Sequence, residues 1–112
     1  MTALFSHPSV TVSVDGATIS VVGDVDVTLA ADLAAGGVKW LNHTELTAIK
    51  LDFSHVEKAS SVAISVLFEW LRICQQRTIQ VQAIYFSEPL RRLASLAELD
   101  DLIDHPASTL AV

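Results

Sequence analysis

The sequence predicts an α/β domain with a mixed sheet of about four strands and helices mainly on one face. Three observations carry this reading. Short segments with alternating apolar and polar residues recur along the chain, interleaved with stretches of helical periodicity. The resulting order is β-β-α-β-α-β-α, which needs parallel crossovers from the third strand onward. The polar positions of every strand are also filled, by Thr11 and Ser13, Thr18 and Ser20, Lys50 and Asp52, Gln80 and Gln82. A sheet covered on both faces would carry continuous apolar strands instead.

The elements follow in order. Val10-Thr11-Val12-Ser13-Val14 alternates as a half-buried strand does. Asp15-Gly16 then favours the positive backbone angles of a tight turn, and Ala17-Thr18-Ile19-Ser20-Val21 returns as the second strand. Gly23-Asp24-Val25-Asp26 reads as a loop. Thr28 is placed to cap a helix over 29–41, with Leu29, Leu33, Trp40 and Leu41 near one face. Gly36 and Gly37 each weaken that helix by about 1 kcal/mol, and close packing against the sheet is the expected reason for them. The third strand covers 48–53 and the fourth 79–83. Residues 61–76 form the best helix in the chain. Ser87-Glu88-Pro89 opens another, since Ser caps well and Pro suits the first turn. Leu90, Leu93 and Ala97 mark its apolar stripe. Leu99, Leu102 and Ile103 suggest one more packed segment. The ordered core is expected over about 8–104, with frayed ends.

Length and composition narrow the function. The 112 residues fit one domain, and 51% hydrophobic content is enough for a core. Seven Lys and Arg stand against thirteen Asp and Glu, a net charge of −6. Such a chain repels nucleic-acid phosphates and anionic lipid, so neither is an expected partner. The single cysteine, Cys74, permits no intrachain disulfide, which suits a reducing compartment. The first eight residues lack a basic start and a long apolar stretch, so no signal peptide is expected. No apolar run approaches the roughly 20 residues needed to span a bilayer, so direct membrane insertion is not expected.

The segment Leu51-Asp52-Phe53-Ser54-His55-Val56-Glu57-Lys58-Ala59-Ser60-Ser61-Val62-Ala63-Ile64 resembles the signature of the STAS family, also seen in anti-sigma-factor antagonists. There, an LDFS-like strand end leads through a V-x-x-x-D-S/T-x-G pattern into a helix rich in Leu and Val. The resemblance covers nearly the whole chain and implies a STAS-like fold. Ser60 stands where the family usually has Asp. Ser61 stands at the Ser or Thr that antagonists present for phosphorylation, and Val62 and Ala63 fill the small, often glycine, positions after it. This form is more similar to the MlaB-type STAS subunits of the Mla phospholipid transporter. The resemblance implies a non-enzymatic, cytoplasmic subunit that binds the ATPase of an ABC transporter, peripheral to the inner membrane through that complex. The alternative it implies is an antagonist regulated by phosphorylation at Ser61.

At about 100° per residue, Ala63, Val66, Leu67, Trp70, Ile73 and Cys74 share one arc of the 61–76 helix, which should be core. Ser61, Ser65, Phe68, Glu69, Arg72, Gln75 and Gln76 share the other. Phe68 is a large aromatic in the polar arc, aligned with Ser61, Arg72 and Gln75. An aromatic and an arginine among small polar groups make a candidate interface hot spot. The alternative is that Phe68 tucks under a neighbouring loop. Ser60 or Ser61 should serve as the helix N-cap, and the pair lies where a partner's acidic group or a phosphate is well received. The candidate partner-binding set is therefore Ser60, Ser61, Phe68, Arg72 and Gln75.

Catalysis has little support. No G-x-S-x-G elbow surrounds the serines, and no P-loop is present. His7, His43, His55 and His105 lack paired ligand spacing, so neither a metal nor a cofactor is expected. Cys74, Trp40 and Trp70 are expected in the core, and Arg91-Arg92 on a solvated face.

Overall fold

Alternation and turn chemistry build the sheet. In the computed structural model, which describes residues 1–109, β2 (Val10–Asp15) turns through Asp15-Gly16 into β3 (Thr18–Gly23). Gly16 sits at φ 61°, the left-handed region that this turn requires. A helix α1 (Ala30–His43) leads to β4 (Ala48–His55), and α2 (Ser61–Arg77) leads to β5 (Gln80–Phe86). Three helices follow: α3 (Glu88–Leu96), α4 (Asp100–Asp104) and α5 (Pro106–Thr109).

The sheet has five strands rather than four, because β1 (Thr2–His7) pairs antiparallel with β2. The order is β1-β2-β3-β4-β5, with β3, β4 and β5 parallel. The first seven residues were expected to fray. Their strand escapes periodicity because Leu4 is a bulge between the Ala3–Ser13 and Phe5–Val12 pairs, which leaves Leu4 and Phe5 both half-buried. The C-terminal segment differs too. Pro106 is buried, and α5 packs along β5. The remainder of the tail expected to fray, residues 110–112, lies outside the described residues.

A second bulge lengthens β5. Ile49 pairs with Val81 and Lys50 with Ala83, so Gln82 is the extra residue. The alternation changes phase there, which keeps both Val81 and Ile84 buried. This is why a strict period ends the strand at residue 83 while the structure carries it to Phe86.

One face of the sheet is core. Val12, Ile19, Val21, Ile49, Leu51 and Phe53 are buried there under α1 and α2. The other face is open, with Thr11, Lys50 and Tyr85 exposed. Trp70 is fully buried on α2, its ring centroid 5.7 Å from that of Phe53. Phe86 also meets Phe53 edge-on, with ring centroids 5.9 Å apart. The Trp70 Nε1–H donates to the Ala34 carbonyl of α1 at 3.0 Å. A Cβ at Gly37 would lie 2.4 Å from the Trp70 ring, and one at Gly36 would lie 2.6 Å from the Leu4 carbonyl. Gly36 thus packs closely against the sheet, at its edge strand β1, as the sequence suggested, whereas Gly37 admits helix α2 instead.

Several other expectations are corrected. Thr28 does not cap α1. Its N–H and hydroxyl both donate to the Asp26 carboxylate at 2.7 Å, and the N-cap is Leu29, with no side-chain bond. These two bonds hold the Asp26 carboxyl below its ordinary pKa. Trp40 is half-buried at the edge of the core rather than within it. Arg91 is not simply solvated: both its terminal nitrogens donate to Asp104 at 2.8 Å, and Asp100 lies 3.1 Å away. Ala97 is exposed, and the buried stripe of α3 is instead Leu90 and Ala94.

Two expected outcomes test this packing. Leu67 is fully buried on α2, so Leu67→Ala should cost roughly 2–5 kcal/mol in chemical denaturation. Gly37→Ala should also destabilise, by about 1–3 kcal/mol of overpacking against Trp70, although Ala is the better helix former. A Gly37→Ala protein as stable as the parent would mean that α1 and α2 are not this close.

A third concerns pH. The Arg91 guanidinium holds the Asp104 carboxyl below its ordinary value of 3.8. A depressed carboxyl contributes stability above its unfolded value and loses it as pH falls through the folded one. The α3–α4 junction should therefore stay docked through neutral and mildly acid pH and loosen only below 3.8. Amide shifts of Leu102 and Ile103 followed through an acid titration should show this step, and Asp104→Asn should remove it.

Candidate partner-binding site

The entry to α2 is held from three sides. Ser60 is the N-cap, its hydroxyl oxygen accepting from Val62 N–H at 3.2 Å and Ala63 N–H at 3.4 Å. Upstream, the Asp24 carboxylate accepts from the Lys58 N–H at 2.9 Å, tying the β3–α1 loop to the β4–α2 loop. The Ser87 hydroxyl, at the cap of α3, donates to the Val56 carbonyl. With these bonds the segment 56–60 presents Ser61 at the first turn of a fixed helix. The Ser61 side chain is exposed, and its hydroxyl makes no hydrogen bond among the described residues.

The rest of the sequence-derived set lies along the exposed face of α2. Phe68 is 44% exposed and does not tuck under a loop. Arg72 and Gln75 are exposed beside it. Arg72 donates to Glu69 at 2.5 Å, one turn back, a pairing that raises the guanidinium pKa further. Exposed pairs of this kind contribute little stability, but this one fixes the arginine's direction. Ser60 differs from the others: it is half-buried, and its oxygen is already used by the cap. The buried arc agrees with the helical wheel, with Ile64 and Leu71 added to it.

Sequence reasoning missed a neighbouring feature. Between α1 and α2 runs a groove of about 450 Å³, walled by Ala30, Ala34 and Val38 on one side and Val62, Val66 and Glu69 on the other. Ser65 lines it and connects it to the exposed face of α2. Val27, in the loop before α1, is 73% exposed. The only trace of the groove in the sequence is the run Ala30-Ala31 followed by Ala34-Ala35. Small residues at this spacing read equally well as plain helix formers.

The chemistry available here suits binding. Burial pushes the Cys74 thiol up to about 11, which leaves it protonated and inert at neutral pH. Among the described residues no group of His, Cys, Asp and Glu is gathered to hold a metal ion. Nor is any helix among them long and apolar enough to cross a membrane.

A family model described as Mlab, STAS domain matches residues 9–104. No curated protein matches the chain. The family match runs from β2 to the end of α4, so it includes the fixed entry to α2, the exposed face behind it and the groove beside it. The chain belongs to the STAS domain family and is of the MlaB type.

Proposed function

We propose that the chain is a non-enzymatic STAS subunit that binds and supports the ATPase of a phospholipid ABC transporter, and so helps maintain outer-membrane lipid asymmetry. The observation that carries this reading is the α2 surface of an MlaB-type domain. Ser61, Phe68, Arg72 and Gln75 form an exposed, aligned row beside an apolar groove. Phe68 is the anchor, because an aromatic ring gains most from leaving water. The groove takes an apolar side chain of the ATPase, with the polar row at its rim giving orientation. A net charge of −6 favours a basic patch on that partner. The subunit works by holding a shape, and it reaches the inner membrane only through the transporter.

A second reading rests on Ser61 alone. Its free, exposed hydroxyl at the first turn of α2 stands where antagonists of anti-sigma factors present their phosphorylated residue. Ser60 in place of the usual acid, engaged as the cap, favours the transporter reading over this one.

Titration calorimetry with the ATPase separates the two. Phe68→Ala should weaken binding by about 2 kcal/mol, roughly thirtyfold, while circular dichroism stays that of the parent. Ala31→Trp, at an exposed position lining the groove, should also block assembly. Ser61→Glu should weaken it by placing a desolvated charge at the contact. Wild-type affinity in all three variants would rule this surface out. Phosphate on Ser61, seen by intact mass of protein taken from cells, would favour the antagonist.

A further inference from the structure

On the opposite side of the sheet from α2 lies a cleft of about 560 Å³, where the open face meets the α3–α4 corner. Asp52, Ser54, Ile84, Tyr85 and Phe86 line it from the strands, Arg91 and Ile103 from the helices. We propose that this cleft binds an organic cation, a guanidinium or alkylammonium group, seated between the Asp52 carboxylate and the Tyr85 ring.

Four features lead there. Asp52 and Tyr85 are register partners on β4 and β5, so their side chains stand on adjacent strands and rise from the same face. Tyr85 is 46% exposed, an aromatic residue open to a guest. One oxygen of Asp52, Oδ1, is fixed by the Ser54 N–H at 2.9 Å and the Ser54 hydroxyl at 2.5 Å. The other, Oδ2, has no hydrogen-bond partner among the described residues, so the carboxylate is oriented and half unused. Finally, the cation already on the wall is spent: Arg91 is held by Asp104 and Asp100. Asp52 shares the cleft with Arg91 but makes no ion pair with it among the described residues. Lys50 shares the open face two residues from Asp52, but no ion pair joins them among the described residues. A carboxylate beside an aromatic face is the chemistry that recognises a cation. An anion or a neutral apolar ligand would leave Oδ2 unpaired or opposed.

The same group can arrive as a small free cation or as an arginine side chain of a protein. Two probes distinguish the sources: ethylguanidinium chloride, and the blocked peptide acetyl-Gly-Arg-Gly-amide. Each is titrated into the ¹⁵N-labelled protein at constant ionic strength. Saturable amide shifts should appear at Ser54 and Tyr85. Asp52→Asn keeps an oxygen for the Ser54 bonds while removing the charge, and it should weaken binding at least about threefold. Tyr85→Leu should do the same by removing the ring face. Equal affinity for both probes assigns the cleft to a free cation, and clearly tighter binding of the peptide assigns it to a protein's arginine. The proposal is overturned if neither probe causes localised shifts well above millimolar concentration. It is equally overturned if the shifts persist unchanged in Asp52→Asn, or if acetyl-Gly-Glu-Gly-amide reproduces them.

Discussion

Trp70 seated over Gly37 is the contact on which the rest of the helical layer depends. The ring lies where any side chain at residue 37 would collide with it, and its N–H reaches the Ala34 carbonyl. Two helices that share such a contact cannot slide or rotate without breaking a partly buried hydrogen bond or opening a cavity. The ring also meets Phe53 of the central β4, so one residue joins α1, α2 and the sheet. The groove between the helices follows from this. Where Trp70 draws α1 and α2 together they touch, and along the alanines on either side of Ala34 the side chains are too short to fill the gap.

Orientation of α2 comes from its ends as much as from its core. Ser60 caps its start, and at its finish Thr78 adopts a left-handed conformation, φ 56°. Arg77 then reaches across to the Leu41 carbonyl at 2.7 Å and the Thr44 carbonyl at 3.4 Å, placing positive charge at the C-terminus of α1. The loops before it are tied by Asp24 and Ser87. The exposed row from Ser61 to Gln75 is thus carried on a helix fixed at both ends, and a rigid display loses little entropy on docking. The sheet edges are handled in two ways. β5 is covered by α4 and α5, whereas β1 carries a bulge and packs on α1.

Among the described residues no cluster of His, Cys, Asp and Glu is gathered to hold a metal ion. The buried thiol is held protonated, and the capping serine is occupied. The Ser61 hydroxyl makes no hydrogen bond among the described residues. The fold carries two concave surfaces on opposite sides of one sheet. One is an apolar groove beside the exposed Phe68, and the other sets Asp52 beside the exposed Tyr85.

The sequence by itself determined the α/β class, the β2–β3 hairpin, the two arcs of α2 and the alignment of Ser61, Phe68, Arg72 and Gln75. Each of these depends on a regular period or a local turn, which neighbouring residues encode without help from distant ones. It also determined that Ser87 would cap α3, because an N-cap bonds within its own first turn. The tertiary structure alone decided where that regularity fails. The bulges at Leu4 and Gln82 reset the phase of two strands, so β1 went unseen and β5 was cut short. Thr28 was taken by Asp26 before it could cap α1. The reason for Gly37 became visible only when Trp70, 33 positions later, was placed against it. The groove and the open-face cleft likewise join residues from distant segments. A cavity is defined by the elements that fail to fill it, and no single stretch of sequence contains both walls.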